Sequence, residues 1–343
     1  MTPFIYSALP TRVIFGRGKI AQAASEAARL GMTHPLVITT AQQSESGKHI
    51  VSSTGGFVFA GAAMHTPVHV TEQAMAILKS QGCDGTIALG GGSSTGLGKA
   101  IALRTDLPQL VIPTSYAGSE MTNILGQTQG GAKTTKRDPK IQPETVIYDP
   151  DLLATLPDKF AVTSGMNAIA HAVEGLYAVD GNPIVSLMAE EGIRALAAAL
   201  SKGAAGHDEA FYGAWLCGTV LGSVSMALHH KLCHVLGGSF DLPHAETHTV
   251  ILPHATAYNA IGAKVAMMMI DRAIGSPSAA SGLYDLAKSL GAPLSLKELG
   301  MPEAGLDKAA DIAAANPYPN PRPIERDAIR ELLDNAFHGR RPN

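Results

Sequence analysis

Apolar residues along the first 150 positions gather into short β-branched runs, separated by stretches with helical spacing. Arg12–Phe15 (RVIF), Leu36–Thr39 (LVIT), Thr86–Leu89 (TIAL) and Leu110–Pro113 (LVIP) read as buried strands. Ile20–Leu30, Thr71–Gln81 and Gly98–Leu103 carry the period of helices. Strand–helix alternation of this kind predicts a parallel sheet covered by helices. From Lys159 to about Leu290 the β-rich runs stop and Ala-, Leu- and Met-rich helical stretches take over. The expected boundary lies near Asp149–Leu152, dividing an α/β domain over 1–150 from an all-α domain over 151–343. Asn316–Pro323 (NPYPNPRP) reads as a proline-stiffened loop, followed by a last helix from about Glu325 to Phe337.

Composition narrows the function. A chain of 343 residues with 45% hydrophobic and 16% charged positions has material for two cores. Its formal charge of -3 offers no basic field for nucleic acid and no polybasic membrane patch. Cys83, Cys217 and Cys233 are too scattered for a disulfide framework or a zinc knuckle. Met1–Arg17 lacks a basic segment followed by an apolar one, and no apolar run approaches a membrane span, so a cytoplasmic protein is expected.

Two loops follow apolar strands. Gly90-Gly91-Gly92-Ser93-Ser94-Thr95 joins a strand to a helix, where backbone N–H groups and the helix dipole can hold a pyrophosphate. The run is not the GxGxxG fingerprint, and a merely tight turn is the competing explanation. Pro113–Glu120 (PTSYAGSE) adds hydroxyls at the end of a second strand, the edge where open α/β sheets bind ligands. Thr39, Thr40, Gly91, Gly92, Ser93, Thr114, Ser115, Tyr116 and Ser119 are therefore the candidate cofactor contacts. The second strand ends in Thr39-Thr40-Ala41-Gln42 with no carboxylate, which leaves both NADH and NADPH open.

Of 13 histidines, six fall between His229 and His254. His230 and His234 share a helix face at i, i+4, and so do Asn167 and His171. Gly237-Gly238 is expected to end the first of these helices, with a loop bringing His244 back. Imidazoles from two helices and a loop could hold a divalent ion if a carboxylate joined them. Asn167 is a neutral amide, and Glu174 or Asp241 could stand in for it or serve as hydrogen-bond partners or solvated charges. Lys231 and Arg322 could bind an anion; a solvated lysine and an arginine tying down the proline loop are the alternatives.

These motifs resemble the iron-containing alcohol dehydrogenase family, grouped with dehydroquinate synthase, along nearly the whole chain. The resemblance rests on RVIFGRG at Arg12–Gly18, GGGS at Gly90–Ser93, PTSYAGSE, and SGMNAIAHA at Ser164–Ala172. His171, His230 and His244 fall on the family's metal histidines, and His234 on a further active-site histidine. Asn167 stands where the family has a metal aspartate, and Gly96 where an acid follows GGGS. Together with HHKLCHVLGG at His229–Gly238, LPHAETHTVILPH at Leu242–His254 and ANPYPNPRPIER at Ala315–Arg326, these departures are similar to the branch of the family that reduces maleylacetate. The resemblance implies an α/β nucleotide domain, a helical catalytic domain, a cleft between them and a homodimer. It also implies NADH- or NADPH-dependent reduction of a small dicarboxylate without a catalytic metal, in the breakdown of aromatic compounds. His234, His244, Lys231, His171, His230 and Asn167 would carry the chemistry. A metal-dependent alcohol or polyol dehydrogenase is the alternative.

Overall fold

The apolar runs of the first half pair side by side as one parallel sheet. In the computed structural model, which describes residues 3–130, 132–315 and 318–343, the strands are β1 (Arg12–Phe15), β2 (Leu36–Ile38), β3 (Phe57–Phe59), β4 (Thr86–Gly90), β5 (Gln109–Pro113) and β8 (Thr145–Tyr148). Between β5 and β8, β6 (Ile124–Gln129) and β7 (Ala132–Arg137) form a separate antiparallel pair. The main sheet runs β1-β8-β5-β4-β2-β3. At its centre β4 and β5 match from Thr86↔Gln109 to Gly90↔Pro113. Every residue of β2, β4, β5 and β8 is buried, with no alternation, because helices cover both faces.

Those helices are α1 (Ala23–Arg29), α2 (Ser44–Thr54), α3 (Val68–Gln81) and α4 (Gly92–Thr105). Two expected helices start earlier than their apolar spacing indicated, α3 at Val68 with a Val-His-Val-Thr first turn and α4 at Gly92, whose first turn is small and polar. The stretch expected from Ile20 opens as a 3-10 turn, Lys19–Gln22. Strands β3 (FVF) and β8 (TVIY) are additional to the four strands expected from the sequence. The β6–β7 ladder has no continuous apolar face to announce it.

Ala8–Leu156 forms one compact unit, and Pro157–Asn343 with residues 3–7 forms the other. The second unit is helical: α5 (Asp158–Leu176), α6 (Pro183–Leu200), α7 (His207–Ser223), α8 (Leu228–Phe240), α9 (His244–Asn259), α10 (Lys264–Ile274), α11 (Ala279–Ser289), α12 (Leu306–Ala315) and α13 (Arg326–Phe337). Glycine lets α6 and α7 touch backbone to backbone: a Cβ on Gly213 would lie 3.0 Å from the Gly192 carbonyl oxygen. The three cysteines are buried and free. No single helix among the described residues is long and apolar enough to cross a membrane. Asn316 and Pro317 of the expected proline loop lie outside the described residues.

Two local expectations are corrected. Helix α8 does not stop at Gly237-Gly238 but continues to Phe240, and Asp241 closes it at φ 54°. Packing of Val235 and Leu236 into the core outweighs the roughly 1 kcal/mol per residue that glycine costs a helix. His244 is not on a loop but opens α9, directly after Pro243 at the N-cap.

Candidate active site

Strand β4 ends at Gly90 with φ +145°, a conformation that side chains rarely adopt. A Cβ there would meet Ser94 Oγ at 2.5 Å and Gln43 Oε1 at 2.8 Å, so only glycine fits. Gly91 caps α4 without any side-chain cap, leaving the first-turn N–H groups for a ligand. A Cβ on Gly92 would meet nothing within 4 Å, so open space lies beside that turn. Neighbouring strand ends interlock around it. Gln43 Nε2 donates to Thr114 Oγ1 at 2.9 Å, Thr114 N–H donates to the Gly90 carbonyl at 3.2 Å, and a Cβ on Gly91 would lie 2.9 Å from Ser115 Oγ. The uncapped helix start, the open space and the half-buried hydroxyls of Thr40, Ser93, Thr114, Ser115 and Ser119 fit a nicotinamide dinucleotide.

Thr39 and Tyr116 do not present their side chains as expected. Thr39 is fully buried against Gly47 of α2, where a Cβ would lie 2.9 Å from its methyl group. Tyr116 is also buried, and burial pushes its hydroxyl pKa upward. At Gly96 a Cβ would sit 2.3 Å from Thr66 Oγ1, so this helix has no room for an acidic side chain unless Thr66 moves.

Lys99 is a feature that sequence reasoning passed over. It is fully buried on α4, and its Nζ donates to the Ser119 carbonyl, to Thr122 Oγ1 at 2.8 Å and to the Ile124 carbonyl at 3.1 Å. Burial lowers its pKa to about 7, against the attraction of Glu120. The ammonium thereby pins the end of the PTSYAGSE loop to α4. A lone lysine inside an apolar helix was the available signal.

In the helical unit α5, α8 and α9 bring the imidazoles together. His171 Nδ1 and His230 Nε2 are 2.9 Å apart. The His244 and His248 ring centres are 4.3 Å apart with the planes tilted by 54°, and His248 lies 4.8 Å from His229 and 5.0 Å from His230. His234 is exposed, its ring 6.4 Å from that of His230, and His244 is half-buried. Asn167, His171, His229, His230 and His248 are buried. Burial, aided by neighbouring imidazoles, lowers the pKa of His229 to about 4 and of His230 to about 3, and drives that of His248 well down. His229, His230 and His248 are therefore neutral at pH 7. Lys231 is half-buried with its Nζ 5.8 Å from the centre of the Tyr318 ring, and no carboxylate among the described residues forms an ion pair with it. Arg322 lies 4.2 Å over the Tyr258 ring, and Tyr258 hydroxyl donates to the Pro323 carbonyl at 2.6 Å, a structural role for the proline loop.

Glu174, one of the two acids the sequence offered as ligand or hydrogen-bond partner, stands in the cluster as a hydrogen-bond partner, and His248 joins it without having been singled out. The stripe Asn167, His171, Glu174 is i, i+4, i+7 on one face of α5, and His244, His248 is i, i+4 on α9, so both were available as spacing. Iron, which the name of the family that the sequence resembles implies, is poorly matched. Asn167 supplies only an amide, whose Oδ1 has no hydrogen-bond partner, and Glu174 spends both oxygens on the start of α8. Among the described residues, the three ring nitrogens that approach within 4.8 Å belong to His229, His230 and His248, not to His171, His230 and His244. Two of those three rings already hold the His248 carbonyl and Glu174.

Residues 10–150 match the family model for iron-containing alcohol dehydrogenase, and residues 161–337 match the C-terminal model of the Fe-containing alcohol dehydrogenase family. The chain is 54% identical to a maleylacetate reductase of Burkholderia cepacia over 352 residues, covering 100% of both chains. It is 52% identical to a maleylacetate reductase of Sphingobium indicum, covering 99% of each. The crystal structure of a maleylacetate reductase from Agrobacterium tumefaciens superposes with a TM-score of 0.96 at 53% identity, covering 100% of both chains.

Proposed function

The chain belongs to the iron-containing alcohol dehydrogenase family, and from that premise we propose that it reduces the carbon–carbon double bond of maleylacetate to give 3-oxoadipate. The observation that carries this reading is its identity of 54% to a maleylacetate reductase over the full length of both chains. Asn167 at the position of a metal carboxylate supports it, and counts against the alternative of a metal-dependent alcohol or polyol dehydrogenase.

Bound NADH or NADPH supplies a hydride to the carbon β to the ketone. The start of α4 holds the pyrophosphate on the N–H groups around Gly91, Gly92 and Ser93, with Thr40, Thr114, Ser115 and Ser119 as hydroxyl contacts. With no carboxylate at the end of β2 to repel a 2′-phosphate, both cofactors are accommodated. Lys231 binds a substrate carboxylate. His234 and His244 polarise the ketone as the enolate develops and deliver a proton to the α carbon. Asn167, His171 and His230 line the pocket, and catalysis proceeds without a metal. The working form is a homodimer. The test is oxidation of NADH and of NADPH with maleylacetate, beside a panel of aldehydes and polyols. Turnover of aldehydes but not of maleylacetate would overturn the reading.

A further inference from the structure

Glu174 is fully buried on α5 and meets the start of α8. Its Oε1 accepts from the His229 N–H at 2.7 Å, and its Oε2 from the N–H groups of Ala227 at 3.0 Å and His230 at 3.3 Å. Oε2 also lies 2.6 Å from His230 Nδ1, and the far side of that ring reaches His171 Nδ1 at 2.9 Å. Neither Lys nor Arg among the described residues forms an ion pair with this carboxylate. Three N–H donors at a helix N-terminus favour its ionised form, although burial raises its pKa. With both oxygens receiving N–H groups, the hydrogen between Oε2 and His230 sits on Nδ1.

A second contact points the same way. His229 Nε2 is 3.0 Å from the His248 carbonyl, which can only accept, so Nε2 carries the hydrogen. A neutral imidazole has one donor and one acceptor, so His229 Nδ1 is a lone pair. It stands 3.4 Å from His230 Nδ1, where a second lone pair would be repelled and an N–H is welcome.

We infer that Glu174 is a positioning residue that sets the hydrogen polarity of His230 and, through it, of His171. His230 donates from Nδ1 and accepts at Nε2; His171 therefore donates from Nδ1 and, as a neutral ring, keeps Nε2 unprotonated. Neither ring can then be the acid that protonates the substrate carbon, and that role falls to His234 or His244. This last step rests on the maleylacetate reading; the polarity does not.

The experiment is a long-range proton–nitrogen spectrum of the full chain labelled with 15N-histidine, taken near neutral pH without substrate. His171→Gln and His230→Gln provide the assignments. Both rings should appear as the Nδ1–H tautomer; either ring as Nε2–H, or doubly protonated, overturns the inference. In Glu174→Gln the amide oxygen can accept from His229 while its NH2 group faces His230 Nδ1. His230 should then switch to Nε2–H, and kcat for maleylacetate should fall about 10–100-fold with the KM for NADH unchanged. A folded Glu174→Gln protein with the wild-type tautomer overturns the inference, and if that variant fails to fold the wild-type spectrum decides alone. A wild type that shows both Nδ1–H rings yet ignores maleylacetate sinks the functional reading and leaves the polarity standing.

Discussion

Replacing Lys231 by Met removes a charge while keeping most of the apolar stem, and should lower kcat/KM for maleylacetate about 10–100-fold. The structure motivates the size of the effect. Lys231 follows His230 on α8, is half-buried, and has the Tyr318 ring 5.8 Å from its Nζ in place of an acidic partner. A cation in that position has lost part of its hydration without gaining a counter-ion, which favours a dianionic substrate. A charge-assisted hydrogen bond to a carboxylate contributes about 1.5–3 kcal/mol, which sets the fold-change. The lost cation–π contact contributes only about 0.5–1 kcal/mol, so the melting temperature should fall by no more than about 2–4 °C. Steady-state kinetics separate two outcomes. If the contact is equally strong in ground and transition states, KM rises alone; if it tightens as hydride moves, kcat falls too. The KM for NADH should not change. A loss in kcat/KM below about threefold, under ~0.7 kcal/mol, would refute the assignment and return Lys231 to the solvated face of its helix.

Other expectations follow from single features. A Cβ on Gly92 meets nothing within 4 Å, so Gly92→Val should fold normally yet fill the space beside the first turn of α4. Its KM for NADH should rise about tenfold or more, a loss of about 1.4 kcal/mol, and unchanged cofactor affinity in a folded variant removes this turn from the site. Protein stripped with a strong chelator and checked by elemental analysis should keep its activity; loss that iron or zinc restores would reverse the metal-free reading. Burial lowers the pKa of His254 from 6.5 to about 4, and its Nε2 has no hydrogen-bond partner. The unfolded chain binds this proton more readily, so the stability is fully present above about pH 6.5 and is lost as pH falls toward 4. At pH 5 the loss from this residue is about 2 kcal/mol, and His254→Leu should flatten the decline in urea midpoint between about pH 7.5 and 5. Parallel declines in the two proteins would contradict it.

Much of the molecule was legible in the chain alone. Unbroken β-branched runs announce strands buried on both faces, and β2, β4 and β5 lie within a residue of the segments LVIT, TIAL and LVIP. A glycine turn between such a strand and a helix marks the uncapped start of α4, because local backbone conformation is a property of a few neighbouring residues. Spacing likewise groups His230 with His234 and Asn167 with His171, since side chains four apart share a helix face in any fold. Only the tertiary structure decides what those faces meet. It buries His171 and His230 while leaving His234 exposed, and it buries Thr39 and Tyr116 while their neighbours Thr40, Thr114 and Ser115 stay half-buried. It carries α8 through two glycines that local propensity reads as a stop. Glu174 shows the difference most plainly: its spacing on α5 was visible, but its partners at Ala227, His229 and His230 lie more than 50 residues away. Spacing along a helix is dictated by covalent geometry, whereas a hydrogen bond between helices depends on how their side chains pack, and the same carboxylate on a different neighbour would have been a solvated charge.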